Sequence, residues 1–169
     1  FAPPLRLDRR KALGELSMAS LDKVAIGFSR KVIDAPPDSR VLALASTGQV
    51  VEAHLRPQGR EGAILFFWDD EARRLEANGA SAAGATALSL LADVFGKEIR
   101  GGFAGARSTR WNEDRFARGA WSGGPADARR ALATPHNGRV LFAGEATADG
   151  GVMGAYESGL RAAREALAL

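Results

Sequence analysis

Alternation of apolar and polar side chains predicts a strand over residues 21–28. Val24, Ile26 and Phe28 share one apolar face of it, and Leu21, Lys23 and Ala25 the other, so Lys23 sits on a face not plainly open to solvent. Residues 41–45 and 62–68 are further strand candidates, with Gly48 and Pro57-Gln58-Gly59 as turn signals between them. Helical spacing over residues 82–95 puts Leu88, Leu91, Ala92 and Phe95 on one face, and Gly96 is a stop. Near the start, Pro3-Pro4 breaks regular structure. Residues 7–16 then read as a short helix, with Asp8 a candidate N-cap and Leu13 and Leu16 facing inward.

The last thirty residues carry the densest pattern. Val140-Leu141-Phe142-Ala143 is wholly apolar, as in a short strand buried on both faces. Gly144-Glu145 follows at its C-terminal end, where open α/β sheets bind ligands. Gly150-Gly151-Val152 then opens a helix that runs to the C-terminus. Val152, Tyr156, Leu160, Ala163 and Leu167 share one face of it. A helix start offers free N–H groups and a positive dipole end to an anionic oxygen. The Glu145 carboxylate can accept hydrogen bonds from hydroxyls.

Composition narrows the class. The 169 residues suffice for a domain with a sizeable core, and 46% hydrophobic with 25% charged content is ordinary for a globular protein. The net charge of +3 is spread without a basic block, so no nucleic-acid partner is expected. No apolar run approaches membrane-spanning length and no signal peptide is visible, so a cytoplasmic protein is expected. The absence of cysteine excludes disulfides and thiol chemistry. His54 and His136 lie far apart with no ligand pattern around them, and no metal site is expected. No GxGxxG joins a strand to a helix, although a dinucleotide needs that turn for its pyrophosphate.

GRVLFAGEAT (residues 138–147), Gly154-Ala155 and Ser158-Gly159-Leu160-Arg161-Ala162-Ala163 resemble the C-terminal flavin-binding segment of the flavin-containing amine oxidases. That family includes monoamine and polyamine oxidases, histone lysine demethylases and L-amino-acid oxidases. The resemblance implies that Glu145 holds a ribityl hydroxyl of FAD and that the following helix start lies against the isoalloxazine. Cofactor contacts then fall on Gly144, Glu145, Gly151, Val152 and Ala155. LDKVAIGF (residues 21–28) is similar to the family strand whose lysine reaches the flavin N5 through a water. Lys23 would hold that water and assist reoxidation by oxygen, its ammonium stabilising the developing charge. Without the resemblance, Lys23 reads as a solvated lysine on an edge strand.

The phrase R-W-x-x-D-x-x-x-x-G-x-W spans residues 110–121. By the same resemblance Trp111 packs at the flavin and Trp121 is a wall of the substrate cage. A π face suits an amine near its protonated form. Read alone, both tryptophans are core or half-buried aromatics. Covalently flavinylated members carry cysteine just before the cage aromatic. Ala120 stands there in this chain, which implies noncovalent FAD. A second cage aromatic is not evident near Met153, so the substrate class stays open. The family has a short strand corresponding to residues 73–78, more polar here because of Glu76 and Asn78.

The implied reaction is hydride transfer from the amine-bearing carbon to flavin, imine hydrolysis, and reoxidation by O2 giving H2O2. The F-x-P-P-L phrase at residues 1–5 sits well inside the family polypeptide. The chain is therefore expected to be the C-terminal part of a longer enzyme, or the smaller chain of a cleaved one. Its expected partners are the N-terminal FAD-binding part, a small amine, O2 and, through exposed surfaces, a second copy. The expected fold is mixed α/β. Residues 1–105 form part of a substrate domain, a mixed sheet with a flanking helix, and residues 106–139 an interdomain segment. Residues 140–169 supply the last strand and helix of a Rossmann-like FAD domain. Two alternatives remain open: an L-amino-acid oxidase or monooxygenase of the same superfamily, and a non-catalytic interaction module. For the first, Arg6, Arg30 and Arg56 cannot be assigned to a substrate carboxylate from sequence.

Overall fold

A computed structural model describes residue 1 and residues 4–169, so part of the Pro3-Pro4 break lies outside the described residues. The fold is mixed α/β. In chain order the elements are α1 (Leu7–Gly14), β1 (Ser17–Ala19), β2 (Leu21–Phe28), β3 (Ser39–Leu44), β4 (Val50–Leu55), β5 (Gly62–Trp68), α2 (Asp69–Phe95), β6 (Phe103–Ser108), β7 (Trp121–Gly123), α3 (Ala126–Ala133) and α4 (Gly151–Leu167). They form two compact units, Ser20–Arg118 and the combination of Phe1–Ala19 with Gly119–Leu169.

The Ser20–Arg118 unit is a five-stranded sheet in the order β3-β4-β5-β2-β6 with α2 against it. Every pairing is antiparallel, where a mixed sheet was expected. The short connections from β3 through β5 make each strand double back on the last, which dictates antiparallel pairing. β2 and β5 take the predicted bounds, and residues 41–45 fall largely within β3. Between the two turn signals lies a further strand, β4, whose Val51, Ala53 and Leu55 alternate inward. The core joins those residues to Val24, Ile26, Phe28, Leu65 and Phe67 from β2 and β5, and to Leu75, Leu90 and Leu91 from α2.

Residues 73–78 are helical, contrary to the expected strand, because α2 begins at Asp69. Ala72 and Leu75, three apart, face the same core. Three acidic residues in the first turn, Asp69, Asp70 and Glu71, suit the positive end of the helix. Gly79, at φ 84°, interrupts the helical path, and residues 82–95 follow that kink. The helix runs close to β6: a Cβ at Gly84 would come within 2.9 Å of the Ala106 Cβ.

Within this unit no described element packs on the other face of the sheet. Lys23 and Ala25 are exposed there, and Leu42 and Leu44 stand 68% and 70% exposed. Lys23 is thus on an open face, more exposed than its sequence setting indicated. Its strand is not an edge, because β2 lies between β5 and β6.

The second unit contains α1, the β1–β7 ribbon, α3 and α4. The ribbon pairs Ser17 with Gly123, Met18 with Ser122 and Ala19 with Trp121. α1 buries Arg9 and Ala12, whereas Leu13, expected inward, is exposed. The residue at the N-cap is Arg6 with no side-chain cap, and Asp8 is the second residue of the first turn, accepting the Arg9 N–H at 3.0 Å. Leu16 does pack inward, against a small cluster of Ala12, Ala128 and Leu132.

Residues 140–143 form no strand; Val140 makes only an isolated bridge to His136. A strand buried on both faces needs neighbours to complete its ladder, and among the described residues none pairs with it beyond that bridge. α4 forms as predicted from Gly151, but its apolar stripe does not face inward. Val152, Tyr156, Leu160 and Leu167 are exposed, and the buried positions are Gly154 and Ser158. With so little apolar core, the unit is tied by arginines bonding to carbonyls. Arg9, 2% exposed, donates to the carbonyl of Leu132 at 3.1 Å and to the Thr134 carbonyl and hydroxyl.

Candidate functional site

Gly144, Glu145, Gly151, Val152, Ala155 and Trp121 lie in the unit built on α4. Gly144 has φ 125°, and Gly150 and Gly151 have φ 88° and 69°, values that L side chains rarely adopt. The glycines therefore let the chain turn sharply after Phe142-Ala143 and again into α4. Ser158, buried one turn up the helix from Gly154, accepts the Gly144 N–H at 2.9 Å and lies 3.1 Å from the Gly144 carbonyl oxygen and 2.8 Å from that of Ala155. Gly154 lets the helix come close to the loop: a Cβ there would sit 3.3 Å from that of Ala148. Arg161 holds the same loop from below through the carbonyls of Phe142, at 2.6 Å, and Ala133.

Glu145 opens a short 3-10 turn, Glu145–Thr147. Its Oε1 accepts the backbone N–H of Ser122 at 2.6 Å. Arg129 from α3 donates to the carbonyls of Ser122 (2.6 Å) and Glu145 (2.9 Å), and its guanidinium is 3.7 Å from the Glu145 Oε2. That Oε2 is buried and makes no hydrogen bond. A Cβ placed on Gly150 would lie 3.8 Å from it. An acceptor oxygen without a donor thus stands beside the glycine entrance to α4. Such a group suits a ligand hydroxyl. Trp121 is half-buried in β7, next to the Ser122 amide that fixes Glu145, while Val152 at the helix start is fully open.

Lys23 and Trp111 belong to the sheet unit, and side chains missed in the sequence tie them together. Thr109 brackets Lys23: its hydroxyl accepts the Lys23 N–H at 2.8 Å, and its own N–H donates to the Lys23 carbonyl at 2.9 Å. The same hydroxyl donates to Asp22 Oδ1 at 2.8 Å, which also takes the Trp111 N–H at 3.2 Å. The Asn112 N–H donates to Glu76 Oε1 at 2.9 Å. The Lys23 ammonium sits 5.2 Å from the Phe66 ring centroid and makes no ion pair among the described residues. Trp111 itself is 44% exposed.

On the same face as Lys23 lies an open cleft of about 680 Å³, floored by Ala25, Gly27 and Gly105 and flanked by Arg60 and Arg107. Arg107 is opposite Ala25 in the β2–β6 register. Neither guanidinium makes a hydrogen bond or ion pair among the described residues, whereas that of Arg56 is committed to Glu61 at 3.0 Å and that of Arg6 to Asp8 at 2.8 Å. Among the described residues no group of three or more acidic, histidine or cysteine side chains is arranged to hold a metal, and no helix is long and apolar enough to cross a membrane.

The family model for flavin-containing amine oxidoreductases matches residues 1–167 of the chain. None of the curated proteins compared with it matches.

Proposed function

We propose, from the premise that the chain belongs to the flavin-containing amine oxidoreductases, that it is the C-terminal part of an FAD-dependent amine oxidase acting with an N-terminal FAD-binding part. The observation that carries this is the buried, undonated Oε2 of Glu145 at the glycine entrance to α4. It fits a polyhydroxylated chain, whose hydroxyl would supply the missing donor. Gly144, Gly151, Val152 and Ala155 would border that ligand, and Trp111 and Trp121 would flank its ring system. Ala120, in the place where covalent relatives carry cysteine, supports noncovalent binding. The flavin, when bound, supplies the hydride-accepting and oxygen-reactive chemistry. Lys23 would orient a water beside it, and the Trp121 ring would keep bulk water from a neutral amine. Co-expression with the upstream sequence should give a yellow protein whose colour is bleached anaerobically by an amine. A colourless product in excess FAD would end the reading and favour a non-catalytic module.

A second reading, oxidation of an acid-bearing amine such as an amino acid, is favoured by the cleft between Arg60 and Arg107. Its small-residue floor would accept a slender chain, and two unpaired guanidiniums would meet an anionic group at its end. In the assembled enzyme, Arg107→Ala should raise KM for an acid-bearing amine by about tenfold to a hundredfold, the worth of one charge-assisted hydrogen bond. KM for an uncharged amine should not change. Equal effects on both substrates would exclude the cleft as an anion subsite.

A further inference from the structure

We infer that Asp22 and Glu76 share a single proton and together act as a positioning pair for the Trp111 backbone and the Lys23 strand. Asp22 follows the period of Val24, Ile26 and Phe28, so a carboxyl group projects into the helix-covered side of the sheet, where it is wholly buried. Glu76 of α2 is buried on the same side of the sheet. The two carboxyls receive consecutive backbone amides: Asp22 that of Trp111, Glu76 that of Asn112. The turn carrying Trp111 is thereby pinned to β2 and α2 at once.

Among the described residues the surroundings supply no cation to balance two negative charges. Arg110, the nearest guanidinium on the turn, donates to the main-chain oxygen of Glu76 at 3.3 Å and pairs with Glu113 at 2.5 Å. On α2, Arg73 is committed to Asp70 and Arg74 to the buried Glu71. On β2 the Lys23 ammonium lies over Phe66, on the opposite face of the sheet. On β6 Arg107 lines the cleft on that same opposite face, and on β5 the residue opposite Asp22 is Phe67. Two buried carboxylates in contact without a counter-ion cannot both ionise. Asp22 already takes two donors on Oδ1, while Oδ2 is buried and undonated. A proton on Glu76 supplies that missing donor. Consistently, desolvation and then the hydrogen bond that Glu76 donates to Asp22 hold the Glu76 acid above its ordinary 4.5.

The sign follows from linkage. An acid raised in the folded state contributes stability that is fully present below pH 4.5 and is lost as pH rises through the folded value. Asp114, held below its ordinary 3.8 by the N–H groups of Ala117 and Phe116, acts in the opposite sense and only in the more acid range. Above pH 4.5 the two effects are therefore separable.

The experiment is an NMR titration of the chain from pH 4.5 upward, following the Glu76 side-chain carbon and the Trp111 and Asn112 amides. The expected result is a Glu76 carbon that stays protonated above pH 4.5, with both amides moving together when it ionises. In Glu76→Gln, a neutral mimic, the fold should be retained and the amide titration abolished. A Glu76 carbon that titrates at or below 4.5, or amides that move equally in Glu76→Gln, would overturn the pair. Its bearing on catalysis rests on the flavin reading. In the assembled enzyme, the pH profile of flavin absorbance near Trp111 should flatten in Glu76→Gln. The NMR titration is read without flavin, so an assembled protein that takes up no flavin would end that reading and leave the pair standing.

Discussion

Lys23→Met is expected to slow the return of flavin absorbance on admission of oxygen by about a hundredfold in the assembled enzyme, with flavin uptake unchanged. The ammonium has no anionic partner among the described residues and is held over the Phe66 ring. Its backbone is fixed on both sides by Thr109, so the charge is delivered from a rigid strand and not from a loop. Methionine keeps a stem of comparable length over the ring and removes only the charge. The lost cation–π contact at this exposed site is worth about 0.5–1 kcal/mol, so thermal stability should barely move. Lys23→Arg retains the charge but spreads it over a planar fork, and should recover part of the rate. Return of absorbance at the parental rate in Lys23→Met would remove the lysine from the oxygen step.

The same strand shows which features the sequence carries openly. Period-two alternation marked β2 to the residue, because a half-covered sheet imposes that pattern locally, and a short apolar run bounded by turn signals marked β5. β4 was hidden by its composition: Glu52 and His54 occupy the open face, and only Val51, Ala53 and Leu55 mark the covered one. The helix around Leu75 was hidden by Gly79, which divides α2 and leaves the first segment short and polar. Asp22 was the overlooked signal in the site, a carboxylate at a core-parity position between apolar residues. The apolar run at residues 140–143 and the stripe on α4 describe surfaces made for covering, and the described chain does not cover them. Contacts such as Ser158 with Gly144, or Arg129 with Glu145, have no local pattern; only the folded chain brings them together.

Arg129→Ala is expected to cost about 3 kcal/mol, toward the lower end for removing one partner of a buried pair because Glu145 is partly exposed. The Arg129 side chain is only 15% exposed and touches both halves of the α4 site. One nitrogen holds the Ser122 carbonyl, whose residue donates its own N–H to Glu145; the other holds the carbonyls of Glu145 and Ala148. Truncation leaves these carbonyls undonated and the carboxylate without its cation. The small cluster of Ala12, Ala128 and Leu132 offers little apolar burial to offset the loss. Denaturant midpoint and flavin uptake should therefore fall together. Arg129→Lys keeps the charge without the fork, and should recover less than half of the loss. The double variant Arg129→Ala with Glu145→Gln separates charge from geometry. If an unbalanced carboxylate causes the instability, the double variant is more stable than Arg129→Ala alone, yet still takes up no flavin. If it is no more stable, the carbonyl contacts account for the whole effect, and the guanidinium serves the backbone of the loop and not the side chain of Glu145.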